Sequence, residues 1–133
     1  MLLSFVASQA ISKGDAVALD TSIPGRIRAV DMQNFELSKV VGSSFDTVSP
    51  GGLCRVVSKG PAECYGGLEP GSTYYAPITG GQPVAYAEFV NQLVALSIPN
   101  AYLAAVGKAL TSTTLSVNLS PPVFVVTDSL DAP

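Results

Sequence analysis

The chain has 133 residues, of which 47% are apolar and only 13% charged, with no His or Trp and a formal charge of −3. That length suits one domain with a real core, and a charged share about half the usual ~25% excludes a charge-rich disordered chain. The acidic balance also excludes a clustered basic face for DNA or RNA: only Arg26 and Arg28 lie close together, flanked by Asp20 and Asp31.

Met1-Leu2-Leu3-Ser4-Phe5-Val6-Ala7 is apolar but carries no Lys or Arg, so it lacks the n-region of a secretory signal. No apolar run approaches the ~20 residues that span a bilayer. The expected setting is the cytoplasm, with no membrane partner. Residues 1–12 read as an N-terminal arm, residues 13–127 as a β-barrel domain and residues 128–133 as a C-terminal tail. Leu2, Leu3, Phe5 and Val6 have no evident partner in a barrel that begins near Gly14, which marks them as a docking arm able to add a strand to another protein. The alternative is an edge strand folded back onto its own barrel.

Ala16–Leu19 is the first strand of the domain, and Ser22-Ile23-Pro24-Gly25 turns the chain into Arg26–Val30, where period-2 alternation begins. Leu37–Phe45 follows as a strand, then a turn at Val48–Gly52. Ser58-Lys59-Gly60 reads as a three-residue hairpin loop, placing Cys54 opposite Cys64 and Arg55 opposite Glu63. Two cysteines are too few for a disulfide framework, and both are expected as thiols.

Ser72–Pro77 is a strand with Tyr74 and Tyr75 on opposite faces, one for the core and one for a subunit interface. Residues 84–98 are ambiguous. A strand is favoured for Leu93–Ile98, with one or two helical turns at most before it. Ala101–Leu110, Thr114–Leu119 and Val123–Thr127 complete the strands. Twelve Gly and ten Pro punctuate them. The fold class expected is all-β: a compact antiparallel β-barrel or sandwich with an extended N-terminal arm and at most one short helix.

Chemistry is hard to find. Without His, neither a Ser-His-Asp site nor a His-ligated zinc can be built, and two Cys cannot make a structural zinc site. The phosphate-loop pattern fails, since Ala109 follows Gly107-Lys108 and Tyr102 stands where its first Gly belongs. The acids, among them Asp15, Asp20, Glu63 and Glu88, sit mostly beside turns at no telling spacing. No enzyme activity, cofactor or metal is expected. A low-charge surface instead favours an oligomer.

Two segments are variations on one phrase. Lys39-Val40-Val41-Gly42-Ser43-Ser44 leads to Gly51-Gly52-Leu53-Cys54-Arg55-Val56, and Ala105-Val106-Gly107-Lys108-Ala109-Leu110 leads to Thr114-Leu115-Ser116-Val117. With Ile11-Ser12-Lys13-Gly14-Asp15-Ala16-Val17, Gly25-Arg26-Ile27-Arg28-Ala29 and Leu68-Glu69-Pro70-Gly71-Ser72-Thr73-Tyr74-Tyr75, this order resembles the capsid decoration (cement) proteins of tailed bacteriophages and related head-fibre β-domains. The likeness spans about residues 11 to 119. It implies a homotrimer on an icosahedral shell, assembled in the host cytoplasm, that ties major capsid protein subunits together. On that reading Leu2, Leu3, Phe5 and Val6 form the capsid-binding arm, and Tyr74 or Tyr75 anchors the trimer interface. The competing class is a fibre module that holds a surface carbohydrate through exposed Tyr and Asn.

Overall fold

Short apolar runs cut by Gly and Pro cannot extend a helix, and the chain spends them on strands. The computed structural model describes residues 1–126, so the expected tail at 128–133 lies outside the described residues. Five strands, β1 (Leu2–Ala7), β2 (Ala16–Leu19), β3 (Arg26–Ala29), β4 (Val40–Ser44) and β5 (Leu53–Val57), close into a barrel in the order β1-β3-β2-β4-β5. Closure comes from β1, antiparallel to β5 and parallel to β3. Ala7, Ile11, Val17, Ile27, Cys54 and Val56 fill the interior, with Phe5, Val41 and Val48 against them. Each larger apolar side chain so buried contributes about 1.5–3 kcal/mol.

The second half repeats the first. Strands β6 (Gly60–Ala62), β7 (Thr73–Tyr75), β8 (Val84–Ala85), β10 (Ala105–Ala109) and β11 (Leu115–Val117) form a sheet in the order β6-β11-β10-β7-β8. Followed from β1 through β5, the barrel runs β1-β5-β4-β2-β3, which is the same path. The turns correspond bond for bond. Gly14 N–H donates to the Ser44 carbonyl and Ser44 N–H to that of Asp15, both at 2.8 Å; Gly71 N–H donates to Ala109 at 2.8 Å and Ala109 N–H to Ser72 at 2.9 Å. The bulges correspond too. Val17 faces Gly42 and Ala18 faces Val40, so Val41 is the extra residue; Tyr74 faces Gly107 and Tyr75 faces Ala105, so Val106 is. A Cβ at Gly42 would collide with the Val57 carbonyl oxygen, and one at Gly107 with that of Ser116. Glycine is required where these strands approach most closely.

The second unit departs from the first after β8. There the chain forms α1 (Tyr86–Ala95) and then β9 (Asn100–Leu103), which pairs with β12 (Val123–Val126) in a separate two-stranded sheet. Leu68, Tyr74, Phe89, Leu93, Val106 and Leu115 pack in a core that also takes Ala16, Ala18, Val30 and Met32 from the first unit. Met32 stitches the halves together, donating to Ile78 at 2.9 Å and accepting from Tyr102 N–H at 2.7 Å. The two units therefore share a core beside the barrel's own interior.

Four expectations are corrected. First, residues 1–12 are not a free arm. Residues 2–7 are the strand that closes the barrel; Phe5 packs inward and Ala7 is fully buried, while Leu2 and Leu3 stay exposed and Val6 is half-buried. Their partners, Leu53–Val57 and Arg26–Ile27, lie too far along the chain for local patterning to show. Second, no hairpin joins β5 to β6. The chain passes from one sheet to the other at Ser58–Lys59, Cys54 faces Phe5 across β1, and Arg55 binds Asp46 instead of facing Glu63.

Third, α1 continues through Leu93, Val94 and Ala95, where a strand was favoured. Phe89 and Leu93, one turn apart, are both buried, and that periodicity wins over the β-propensity of the run. The helix stops in a Schellman motif: Ile98 N–H reaches the Leu93 carbonyl at 3.0 Å and Ser97 N–H that of Val94 at 3.1 Å, with Ser97 in the left-handed region at φ 54°. Fourth, Glu36–Ser38 is a 3-10 turn, and the strand after it begins only at Val40.

Candidate functional site

Tyr74 and Tyr75 divide as adjacent strand residues must, and this settles which of them is available. Tyr74 is in the core, its hydroxyl accepting from Glu69 N–H at 2.8 Å, so it cannot anchor an interface. Tyr75 is half-buried and meets Tyr86 edge-on with ring centroids 5.9 Å apart. Helix α1 exposes Tyr86 and Val94, with Leu96 just past its end.

The most concentrated aromatic surface was not foreseen. Phe35, Tyr102 and Phe124 come from three separate segments into one cluster, exposed Phe35 and Phe124 flanking half-buried Tyr102, with centroid spacings of 5.4 and 5.5 Å. Asn34 starts the 3-10 turn behind Phe35, its side-chain oxygen accepting from Glu36 N–H at 3.0 Å. Lys39 Nζ lies 4.6 Å from the Phe35 ring centre and 3.1 Å from Glu36. Its position thus serves a cation–π contact and a solvent-exposed ion pair. Beside the cluster runs a groove of about 480 Å³ bounded by Phe35, Lys39, Val40 and the Leu119–Pro122 segment.

A second apolar hollow, of about 260 Å³, lies at the barrel end between Met1, Leu2, Phe45, Val57, Lys59 and Pro61. The Met1 ammonium donates to the Lys59 carbonyl there. Lys13 and Arg55 both approach the Phe45 ring, at 5.4 and 5.0 Å from its centre. Arg55 is fixed by Asp46, which accepts from its Nη2 at 2.6 Å and from its Nε and backbone N–H at 2.9 Å. These bonds hold the Asp46 carboxyl down to about 2.

Tyr65, Tyr75, Tyr86 and Tyr102 do not gather into one sugar-stacking platform. Tyr65 is largely buried, its hydroxyl bonded to Ser43 and donating to the Gly14 carbonyl at 3.1 Å, and burial pushes its phenol well above the ordinary value. A groove of about 530 Å³ crosses the second sheet, lined by Leu110 and Leu119 together with Thr73, Lys108, Ser116 and Asn118.

Side chains that might do chemistry are engaged structurally. Asp20 accepts from Ser22 and Ser8 hydroxyls, each at 2.6 Å, and from Ser22 N–H at 2.8 Å, which hold its carboxyl at about 2. Cys54 and Cys64 are free thiols, both pushed upward mainly by burial, which makes them poor nucleophiles. Among the described residues no group of three His, Cys, Asp or Glu could hold a metal ion. What the surface offers is apolar contact area carried on a rigid double β-unit. The chain matches no protein-family model and no curated protein.

Proposed function

We propose that the protein is a virion structural component that decorates an icosahedral phage capsid, binding between major capsid protein subunits as a homotrimer. The observation that supports this reading is the exposed apolar surface, above all the Phe35–Tyr102–Phe124 cluster and its groove, joined by Leu2 and Leu3 at the barrel end. Among the described residues, buried side-chain N and O atoms all have partners, while Phe35 and Phe124 keep 47% and 54% of their surface exposed. Contiguous exposed patches of this kind mark contact sites. The contacts come from this folded surface rather than from a flexible arm, and Tyr75 with Tyr86 is the candidate for the subunit interface.

Two measurements test the proposal. Light scattering after size exclusion is expected to give the 13.7-kDa chain in multiples of three, and any other number of chains would remove the trimer. Antibody labelling in electron micrographs is expected to mark the heads of particles from cells producing the chain. Unlabelled heads, or labelling confined to fibres, would remove the shell assignment.

A second reading, a carbohydrate-binding fibre module, draws on the groove in the second sheet, where Thr73, Ser116 and Asn118 supply hydroxyl and amide groups that suit sugar hydroxyls. Glycan-array binding abolished by Asn118→Ala would favour it over the shell role.

A further inference from the structure

Strand β12 is an edge without the usual defences. It pairs with β9 on one side, and among the described residues its two-stranded sheet has no third member. Natural edge strands are blunted by a charge, a proline or a bulge. Val123-Phe124-Val125-Val126 has no charged residue and no proline, and its register with β9 is continuous from Val123 opposite Leu103 to Val126 opposite Asn100. Successive residues point to opposite faces: Val123 and Phe124 are 60% and 54% exposed, while Val125 packs against the core, so each face keeps an exposed apolar residue. A two-stranded ribbon is marginal in water, whereas a sheet of three or more strands sustains itself.

The remaining edges identify the partner. β6 contains Pro61, which cannot donate, and β8 has two residues. The outer side of β9 is already engaged where Tyr102 N–H meets the Met32 carbonyl. Among the described residues, only another β12 has the length and the full set of donors to match β12.

We propose that β12 pairs antiparallel with β12 of a second copy of this chain, giving a continuous four-stranded sheet, β9-β12-β12-β9, across a two-fold axis. Residues directly opposite each other share a face, so the axis passes at Phe124 or at Val125. In either register the two Phe124 side chains lie on the same face, and each copy's Tyr102–Phe35 cluster continues into the other's. The contact is isologous, and therefore distinct from the three-fold contact of a trimer. It does not depend on the shell assignment.

The test is the mass of the native protein and of Val123→Lys/Val126→Lys, compared at matched concentration by light scattering and native mass spectrometry. Lysines on this edge leave the β9 bonds in place but oppose a second copy with like charge. The wild type is expected as an even multiple of the 13.7-kDa chain, a dimer or a pair of trimers, and the variant at half that mass with an unchanged circular dichroism spectrum. If the double variant fails to fold, Val123→Lys alone, at the most exposed position of the strand, decides by the same halving. A wild type with an odd number of chains, or a folded variant of unchanged mass, overturns the proposal.

Discussion

Replacing Gly107 with Ala tests the repeated architecture at its tightest point. The added Cβ would overlap the Ser116 carbonyl oxygen and stand 2.8 Å from the Ser116 carbonyl carbon and 3.0 Å from Val117 Cα. All three obstacles are backbone, so no side chain can swing aside and the β10–β11 ladder must open. Overpacking where neighbours can yield costs about 1–3 kcal/mol, and each ladder bond disturbed adds about 1 kcal/mol. A loss of about 3–4 kcal/mol is expected. At ~2.1 cal/mol/K per residue, 133 residues give an unfolding entropy of roughly 0.28 kcal/mol/K, so the melting temperature should fall by about 10–14 °C.

Gly42→Ala should cost a similar amount, because the Val57 carbonyl and a Val56 methyl group occupy the equivalent space. Gly66→Ala is the control: nothing lies within 4 Å of its added Cβ, and the change should stay within about 0.5 kcal/mol. Thermal melts followed by circular dichroism read all three. If Gly107→Ala melted within 2 °C of the wild type, roughly the scatter of a surface change, the close-approach argument would be refuted.

Deleting residues 2–7 should unfold the first unit, since β1 closes the barrel; a truncated protein with native circular dichroism and an unchanged melt would contradict this. Asp20 and Asp46 have folded carboxyls near 2 against an ordinary 3.8, so their contribution is full above about 4 and disappears as pH falls towards 2. Asp20→Asn should flatten the acid limb of a stability–pH profile, and an unchanged limb would show that its Ser8 and Ser22 bonds contribute nothing. Under native conditions Cys54, fully buried, should alkylate far more slowly than half-buried Cys64, with both blocked after denaturation without reductant. Equal native rates, or a bridged mass, would refute that assignment.

The strands were legible wherever a short apolar or alternating run met a turn residue, as at Ala16–Leu19, Arg26–Ala29 and Leu53–Val57. Gly42 and Gly107 also announced the repeat, since each follows a valine at the same place in the phrase. Pairing partners were not legible. Cys54 and Cys64 looked opposed because they are symmetric about Lys59, yet sequence symmetry does not reveal that β5 and β6 belong to different sheets. Leu2–Val6 looked unpartnered because their partner strand lies some fifty residues downstream. For the candidate surface, Phe124 was visible as part of a strand, but its exposure and its meeting with Phe35 and Tyr102 depend on β9 and β12 lying outside both five-stranded units. A buried strand and an exposed apolar edge have the same composition.

Barrel closure by β1 also sets an order of events during synthesis. Leu2–Ala7 is made well before its partner Leu53–Val57, so an apolar strand must wait while about fifty residues are added. At roughly 5–20 residues per second, that wait is about 3–10 s, very long beside the microseconds a local hairpin needs. Throughout it, Leu2, Leu3, Phe5 and Val6 are available to any apolar surface in the cell, including another nascent copy. The first unit therefore depends kinetically on a strand that cannot be protected locally. A chaperone that binds β1 as it emerges should raise the yield of folded protein more than one acting on the finished chain.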